Sequence, residues 1–259
     1  IRSGRDYHDG GARYKTAYIH GFGLGSVTDA LSAIRRHVFG NGEMPMAALL
    51  DALAADFVGY ERLRMRLREE TPRYGNDDEY ADEVMQWVFE SYFDAIDGRP
   101  NTRGGAYRIN LLPTTVHIYF GSVVSALPDG RRAGEPLSEG ISPVQGMDRR
   151  GPTAVFKSAA RLDHVRTGGT LLNQKLTPGL LDTDEGLEKW VRLVRSYFRM
   201  DGHHVQFNVV DKETLKAAQA DPEQYRDLIV RVAGYSDYFC DLGKALQDEI
   251  IQRTEHGQV

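Results

Sequence analysis

At 259 residues, 41% of them hydrophobic, the chain is long enough to bury a sizeable core, as one large domain or two small ones. A net charge of -5, with acidic and basic residues interspersed, leaves no basic stripe for nucleic acid and no polybasic patch for a membrane surface. The single cysteine, Cys240, excludes an intrachain disulfide and points to a reducing, cytoplasmic setting, and no run reaches the roughly 18 apolar residues of a spanning helix.

Residues 1–25 are broken by Gly10, Gly11, Gly21, Gly23 and Gly25 and read as loop with short strands. Ser26, with Asp29 three residues on, predicts a capped helix that carries Val27, Leu31, Ile34 and Val38 on one face. A second helix opens at Pro45 and buries Met46, Leu49, Leu50, Leu53 and Phe57. A third spans Tyr80 to Ile96 with a face broad enough for deep burial. Tyr107–Asn110 and Val116–Phe120 read as extended segments around the bend Leu112-Pro113-Thr114-Thr115. The Gly/Pro-rich stretch from Pro128 to Pro143 is long for a loop inside a compact domain, and such loops are usually functional.

A short helix over Ala154–Leu162, a strand over Thr170–Leu176 and a helix over Glu185–Met200 follow, the last with Leu187, Val191, Val194 and Phe198 aligned. His204–Val210 alternates as a strand with Val205, Phe207 and Val209 on one side. Asp211 caps a helix, Pro222 opens another, and Leu228–Val232 forms the next strand. This strand–helix–strand order predicts a crossover unit of an α/β sheet or barrel, with Gly234 just beyond the strand end, where reactive loops sit.

Several residues invite chemistry that their surroundings do not support. Gly21-Phe22-Gly23-Leu24-Gly25 ahead of a helix suggests a phosphate loop, but it lacks the Lys and Ser/Thr of that motif and reads better as a packing turn. Ser138, Glu139 and Ser142 lack a nucleophile elbow, and His117, His203 and His204 lack metal-ligand spacing, so no metal site is expected. A glycine at 234, among residues that prefer extended structure, marks a tight turn or a backbone site where a side chain is excluded.

The run Arg231-Val232-Ala233-Gly234-Tyr235-Ser236-Asp237-Tyr238-Phe239, with the helix after it, resembles the radical loop of the glycyl radical enzymes. Gly10–Tyr14, Leu112–Thr115, Pro128–Arg131, Pro136–Pro143 and Leu172–Lys175 follow in the family's order, so the resemblance covers nearly the whole chain. It implies the C-terminal part of a ten-stranded α/β barrel, with residues 1–200 in the pyruvate formate-lyase-like barrel domain and 201–259 as the glycine radical domain. It also implies that Gly234 stores a radical, installed by a separate activating enzyme that uses S-adenosylmethionine and an iron–sulfur cluster, with no permanently bound cofactor. A water-poor, oxygen-sensitive setting for the glycine is expected.

In this family the radical passes to a cysteine on a Gly-Cys-x-Glu loop, which these residues lack; Cys240 lies on the wrong side of the motif. The resemblance therefore implies part of a larger enzyme, and a start at Ile1 rather than Met suggests a cleaved or partial product. An N-terminal part or subunit would carry the thiyl cysteine, and the complete enzyme is compatible with a homodimer. Pro113, Thr114 and Thr115 are candidate substrate contacts, or a turn whose hydroxyls satisfy the backbone. Arg231, Gln247, Asp248 and Arg253 read mostly as helix-surface and capping groups. The motifs fit the dehydratase and lyase branch acting on a small hydroxylated substrate, with 4-hydroxyproline first, a glycerol-type diol second and choline-type cleavage behind. A pyruvate formate-lyase-type acyltransferase, a radical-bearing partner subunit and an assembly module are the alternatives.

Overall fold

The structure, a computed structural model, describes residues 4–40, 42, 44–112 and 115–257. Four parallel segments follow one another in chain order. Strand β1 (Ala17–His20) pairs with β2 (Tyr107–Asn110). The chain just past β2 bridges in parallel to Thr170, ahead of β3 (Asn173–Leu176), which pairs with β4 (Gln206–Val209). Sequential order and parallel pairing are what an arc of an α/β barrel requires, since each strand then returns by a helical crossover.

The helices before β2 are α1 (Leu24–Ala33), α2 (Met46–Ala54), α3 (Glu61–Glu70) and α4 (Glu79–Ile96). The main core joins Leu24 of α1, Met85 and Phe89 of α4, and Ile109 of β2 to Val155 and Phe156 of α6 (Pro152–Ala159) and Leu193 and Tyr197 of α7 (Asp184–Arg199). A second core, around Phe57 and Leu67, lies under α2 and α3.

The structure corrects several expectations. Helix α1 starts at Leu24 behind Gly23, and Ser26 is a buried residue within it. Its hydroxyl accepts from the Ser138 amide while its own amide donates to the Ser138 hydroxyl. The glycine run is thus a packing turn: a Cβ on Gly25 would meet Ser142 O at 2.9 Å. Val116–Val123 is a helix, α5, whose buried residues are His117 and Gly121. The tight contact of Gly121 with the Glu135–Leu137 backbone explains why helical packing overrode the β-branched local preference. Helix α3 has only Leu67 fully buried, which leaves little apolar period to read. In α7 the inward face carries Gly186, Leu193 and Tyr197, while Leu187 and Phe198 are exposed.

The expected crossover also falls elsewhere. The parallel unit is β3–α7–β4, whereas β5 (Ile229–Arg231) pairs antiparallel with β6 (Ser236–Tyr238) in a hairpin after α8 (Lys212–Ala220). Helix α9 (Lys244–Gln252) follows, and the short β7 (Glu255–His256) returns to the free side of β3. A third core, including Leu171, Val210, Leu215, Val230, Val232, Phe239 and Ile250, packs the hairpin against α8 and α9.

Candidate active site

The loop Val232–Tyr235 closes the β5–β6 hairpin, with the Val232 amide donating to Tyr235 O at 2.9 Å. Gly234 sits in it at φ +79°, which a side-chain-bearing residue adopts only with strain. Space is not the constraint, because a Cβ there would meet only Leu171 Cδ1, at 3.7 Å. The expectation of a buried glycine is not met in this chain: Gly234, Tyr235 and Ser236 are exposed, while Val232 and Ala233 are buried.

Beneath the loop lies a layer of buried polar side chains from four parts of the sequence. The expected alternation of β4 holds for Val205 and Phe207, which pack against the main core, while Val209 is exposed; what the sequence did not indicate is that the opposite face is buried too, through Gln206 and Asn208. Asn208 is bonded to both backbone groups of Arg231, each at 2.7 Å, in the manner of a neighbouring strand. Gln206 Oε1 accepts from the Gly234 amide at 3.2 Å and from Arg231 Nε at 2.9 Å. Its Nε2 donates to Asn173 Oδ1, and Asn173 Nδ2 donates to Glu139 Oε1.

Helix α9 supplies the charged part. Arg253, expected at the surface, is buried; it donates to both oxygens of Glu249 at 2.8–3.2 Å and through Nη1 to Val232 O at 3.0 Å. Of the other helix residues, Gln247 is buried and donates to Phe239 O, and Asp248 binds Lys244 and Gln219. Glu249 also accepts from Gln145 Nε2 at 3.0 Å and faces His117 Nε2 at 3.6 Å. Burial would push the Glu249 carboxyl up, but Arg253 and His117 outweigh it and hold the group well below its ordinary range. Burial does raise Glu139, against the pull of Arg253 and His117. Glu139, Gln145, Asn173, Glu249 and Arg253 line a cavity of about 20 Å³, the room of a single water.

The Pro128–Pro143 stretch builds the floor. Arg131 gathers the carbonyls of Gly121, Val124, Ser125, Glu135 and Pro136, which fixes the turn and delivers Glu139 inward. Ser142 donates to Glu139 at 2.7 Å and accepts from the Asn173 amide, so this Ser–Glu pair is structural.

Thr115 is half-buried ahead of α5 with no side-chain capping bond; Pro113 and Thr114 lie outside the described residues. Cys240 lies away from the polar layer, its thiol donating to Tyr225 O at 3.3 Å. Among the described residues, no three or more His, Cys, Asp or Glu side chains converge on a metal position, and no helix is long and apolar enough to cross a membrane. Sequence reasoning missed Glu139, Asn173, Gln206 and Glu249 as one cluster. The available signal was polar residues at inward-facing strand positions.

The radical-loop motif thus lies at the glycine-bearing turn of a hairpin docked beside parallel strands. Two family models agree: "Pyruvate formate lyase-like" matches residues 1–121 and "Glycine radical" matches 137–240. The chain belongs to the glycyl radical enzymes. It is 55% identical, over 98% of its own length, to trans-4-hydroxy-L-proline dehydratase of Clostridioides difficile, covering 32% of that protein. It superposes on the crystal structure of hydroxyproline dehydratase from Clostridioides difficile with trans-4-hydroxy-L-proline bound, with a TM-score of 0.95 and 54% identity, covering 99% of this chain and 32% of the other. The glycerol-bound B12-independent glycerol dehydratase of Clostridium butyricum gives a TM-score of 0.94 at 42% identity, covering 99% and 33%. The chain thus spans about a third of the length of the relatives it matches.

Proposed function

We propose that this chain is the radical-storing part of a glycyl radical dehydratase, with Gly234 as the radical site and a small hydroxylated molecule, 4-hydroxyproline before a glycerol-type diol, as substrate. The observation that carries this reading is Gly234 itself: the residue of the radical-loop motif stands at a positive φ at the tip of a hairpin, its amide and the Val232 carbonyl two residues earlier held by buried side chains. The high identity to a hydroxyproline dehydratase orders the substrates.

A separate activating enzyme, using S-adenosylmethionine and an iron–sulfur cluster, removes one α-hydrogen atom from Gly234. The unpaired electron then spreads over the flanking amide nitrogen and carbonyl. Gln206 of this chain accepts from that amide nitrogen. The thiyl cysteine that takes hydrogen from the substrate comes from outside these residues, since Cys240 is the chain's one cysteine. The exposure of Gly234 and Tyr235 fits a loop that the cysteine-bearing part covers. Thr115, with Thr114 and Pro113, is assigned to substrate contact, and residues 201–259 to the radical-bearing unit.

The test is electron paramagnetic resonance after anaerobic treatment with a competent activating enzyme and S-adenosylmethionine, with and without the cysteine-bearing part. The expected result is a glycine-centred doublet, absent in Gly234→Ala, followed by chain cleavage at residue 234 on exposure to air. Dehydration of 4-hydroxyproline only with the cysteine-bearing part present completes the assignment. Absence of the doublet in both preparations overturns the radical role.

A further inference from the structure

We propose that Gln206 is the positioning residue of the radical loop and that its orientation is set from a distance by the buried carboxylate of Glu139. This rests on the reading of Gly234 as the radical site.

The argument is one of donor and acceptor direction. The Ser142 hydroxyl accepts from the Asn173 amide, so its proton goes to Glu139 Oε1. That oxygen is an acceptor and also takes Asn173 Nδ2, so the Asn173 amide has one permitted orientation, with Oδ1 turned to Gln206. Gln206 must then present Nε2 to Asn173, with the Val232 carbonyl also within its reach at 3.5 Å, which leaves Oε1 to face the N–H donors of the loop. There it meets two donors, the Gly234 amide at 3.2 Å and Arg231 Nε at 2.9 Å. Were Gln206 reversed, its NH2 would oppose both Arg231 and the Gly234 amide, and its carbonyl would oppose Asn173 Oδ1. Gln206 is buried and is not among the residues that line the water-sized cavity, so a reversed Gln206 amide is left opposed on both sides with nothing to compensate.

The consequence for the radical is specific. A glycyl radical is stabilised when the amide nitrogen donates electron density toward the α-carbon and the carbonyl withdraws it. An acceptor on the Gly234 N–H strengthens the donating half. Arg231, which shares Oε1 and also reaches Ser236 Oγ at 3.2 Å across the hairpin, keeps that acceptor fixed against the loop. Gln206 therefore both holds the glycine in place and stabilises the electron on it.

The experiment compares wild type, Gln206→Leu and Gln206→Glu. In the unactivated protein with 15N-labelled glycine, Gly234 amide hydrogen exchange should accelerate about fivefold or more in Gln206→Leu and fall between that and wild type in Gln206→Glu, which keeps an acceptor toward Gly234 but sets an oxygen against Asn173 Oδ1. After activation, the Gly234 radical signal should decay severalfold faster under strict anaerobiosis in Gln206→Leu, with partial rescue in Gln206→Glu. Wild type alone gives a further check should the Leu variant not fold: a through-hydrogen-bond coupling between Gly234 nitrogen and the Gln206 side-chain carbonyl carbon, whose absence while strand couplings are seen overturns the proposal. Unchanged exchange and radical lifetime in a folded Gln206→Leu also overturn it. A wild-type protein that never forms the radical refutes the assignment of Gly234 and with it the radical-stabilising role; the exchange measurement separates that failure from a failure of Gln206 to hold the amide.

Discussion

Arg253 donates to Val232 O at 3.0 Å while its other nitrogens grip Glu249, so one guanidinium at the C-terminal cap of α9 ties the backbone two residues ahead of Gly234 to a buried carboxylate. Neither residue is near the loop in sequence, yet both are more than nine-tenths buried.

Replacing Arg253 by Leu strands the Glu249 charge in the interior and frees the Val232 carbonyl. A loss of about 3–5 kcal/mol is expected in urea unfolding, and Arg253→Lys should recover only part of it, because an ammonium lacks the fork that serves carboxylate and carbonyl together. Glu249 is held below its ordinary value of 4.5, so its contribution to stability is present above that pH and is lost as the pH falls below it. Glu249→Gln should remove that acid-side slope, as measured by unfolding midpoints from pH 6 to pH 3.

Gly234→Ala and Gly140→Ala should part company. At Gly234 the added methyl has room, so only the positive φ is charged against the fold, about 1–2 kcal/mol, while the radical signal disappears entirely. At Gly140 (φ +50°) the methyl would run into the carbonyl oxygen of Leu171, so about 3 kcal/mol or more is expected, up to failure to fold. Equal losses in denaturant unfolding at the two positions would contradict this account.

His164 is buried between Thr170 Oγ1 at 2.9 Å and Ala159 O at 3.0 Å, and burial lowers it from 6.5 to about 4, against the Ala159 bond and with help from His203. Its folded pKa lies below the unfolded one, so the stability it confers is complete above about 6.5 and is lost as the pH falls toward 4, by at most roughly 3 kcal/mol. Asp82, raised to about 6 by burial, works in the opposite direction over part of that range. The His164 share is therefore read from its ring-proton NMR titration and from the difference between wild type and His164→Gln. A midpoint near 6.5 would refute the burial argument.

Cys240→Ala should leave the radical yield unchanged within about twofold and cost about 1 kcal/mol, the worth of one weak hydrogen bond and a little packing. Burial raises this thiol above its ordinary range, which suits a packing group rather than a reactive one. Loss of the doublet in Cys240→Ala, with folding intact, would place the thiol in the radical path.

Part of the architecture was legible because the signal was local. Helix α4 declares itself by apolar spacing over eighteen residues, α8 by the Asp211 cap, and the Gly234 loop by its motif. Where the helical period was weak or the apolar face faced outward, the same reasoning chose wrongly: Val116–Val123 became a helix through the close packing of Gly121, and α7 turned Leu187 and Phe198 to the outside of this chain.

By itself the sequence determined the family, the glycine at the loop and helices such as α4 and α8, since motif, cap and periodicity depend on residues near one another along the chain. Only the tertiary structure decided that Gln206 and Asn208 face inward, that β5 joins β6 and not β4, and that Glu139, Asn173, Gln206 and Arg253 meet under Gly234. Those groups come from the Pro128–Pro143 stretch ahead of α6, from β3, from β4 and from the end of α9. Their polar character, which reads as surface in one dimension, is affordable in the interior only because each finds a partner more than twenty residues away.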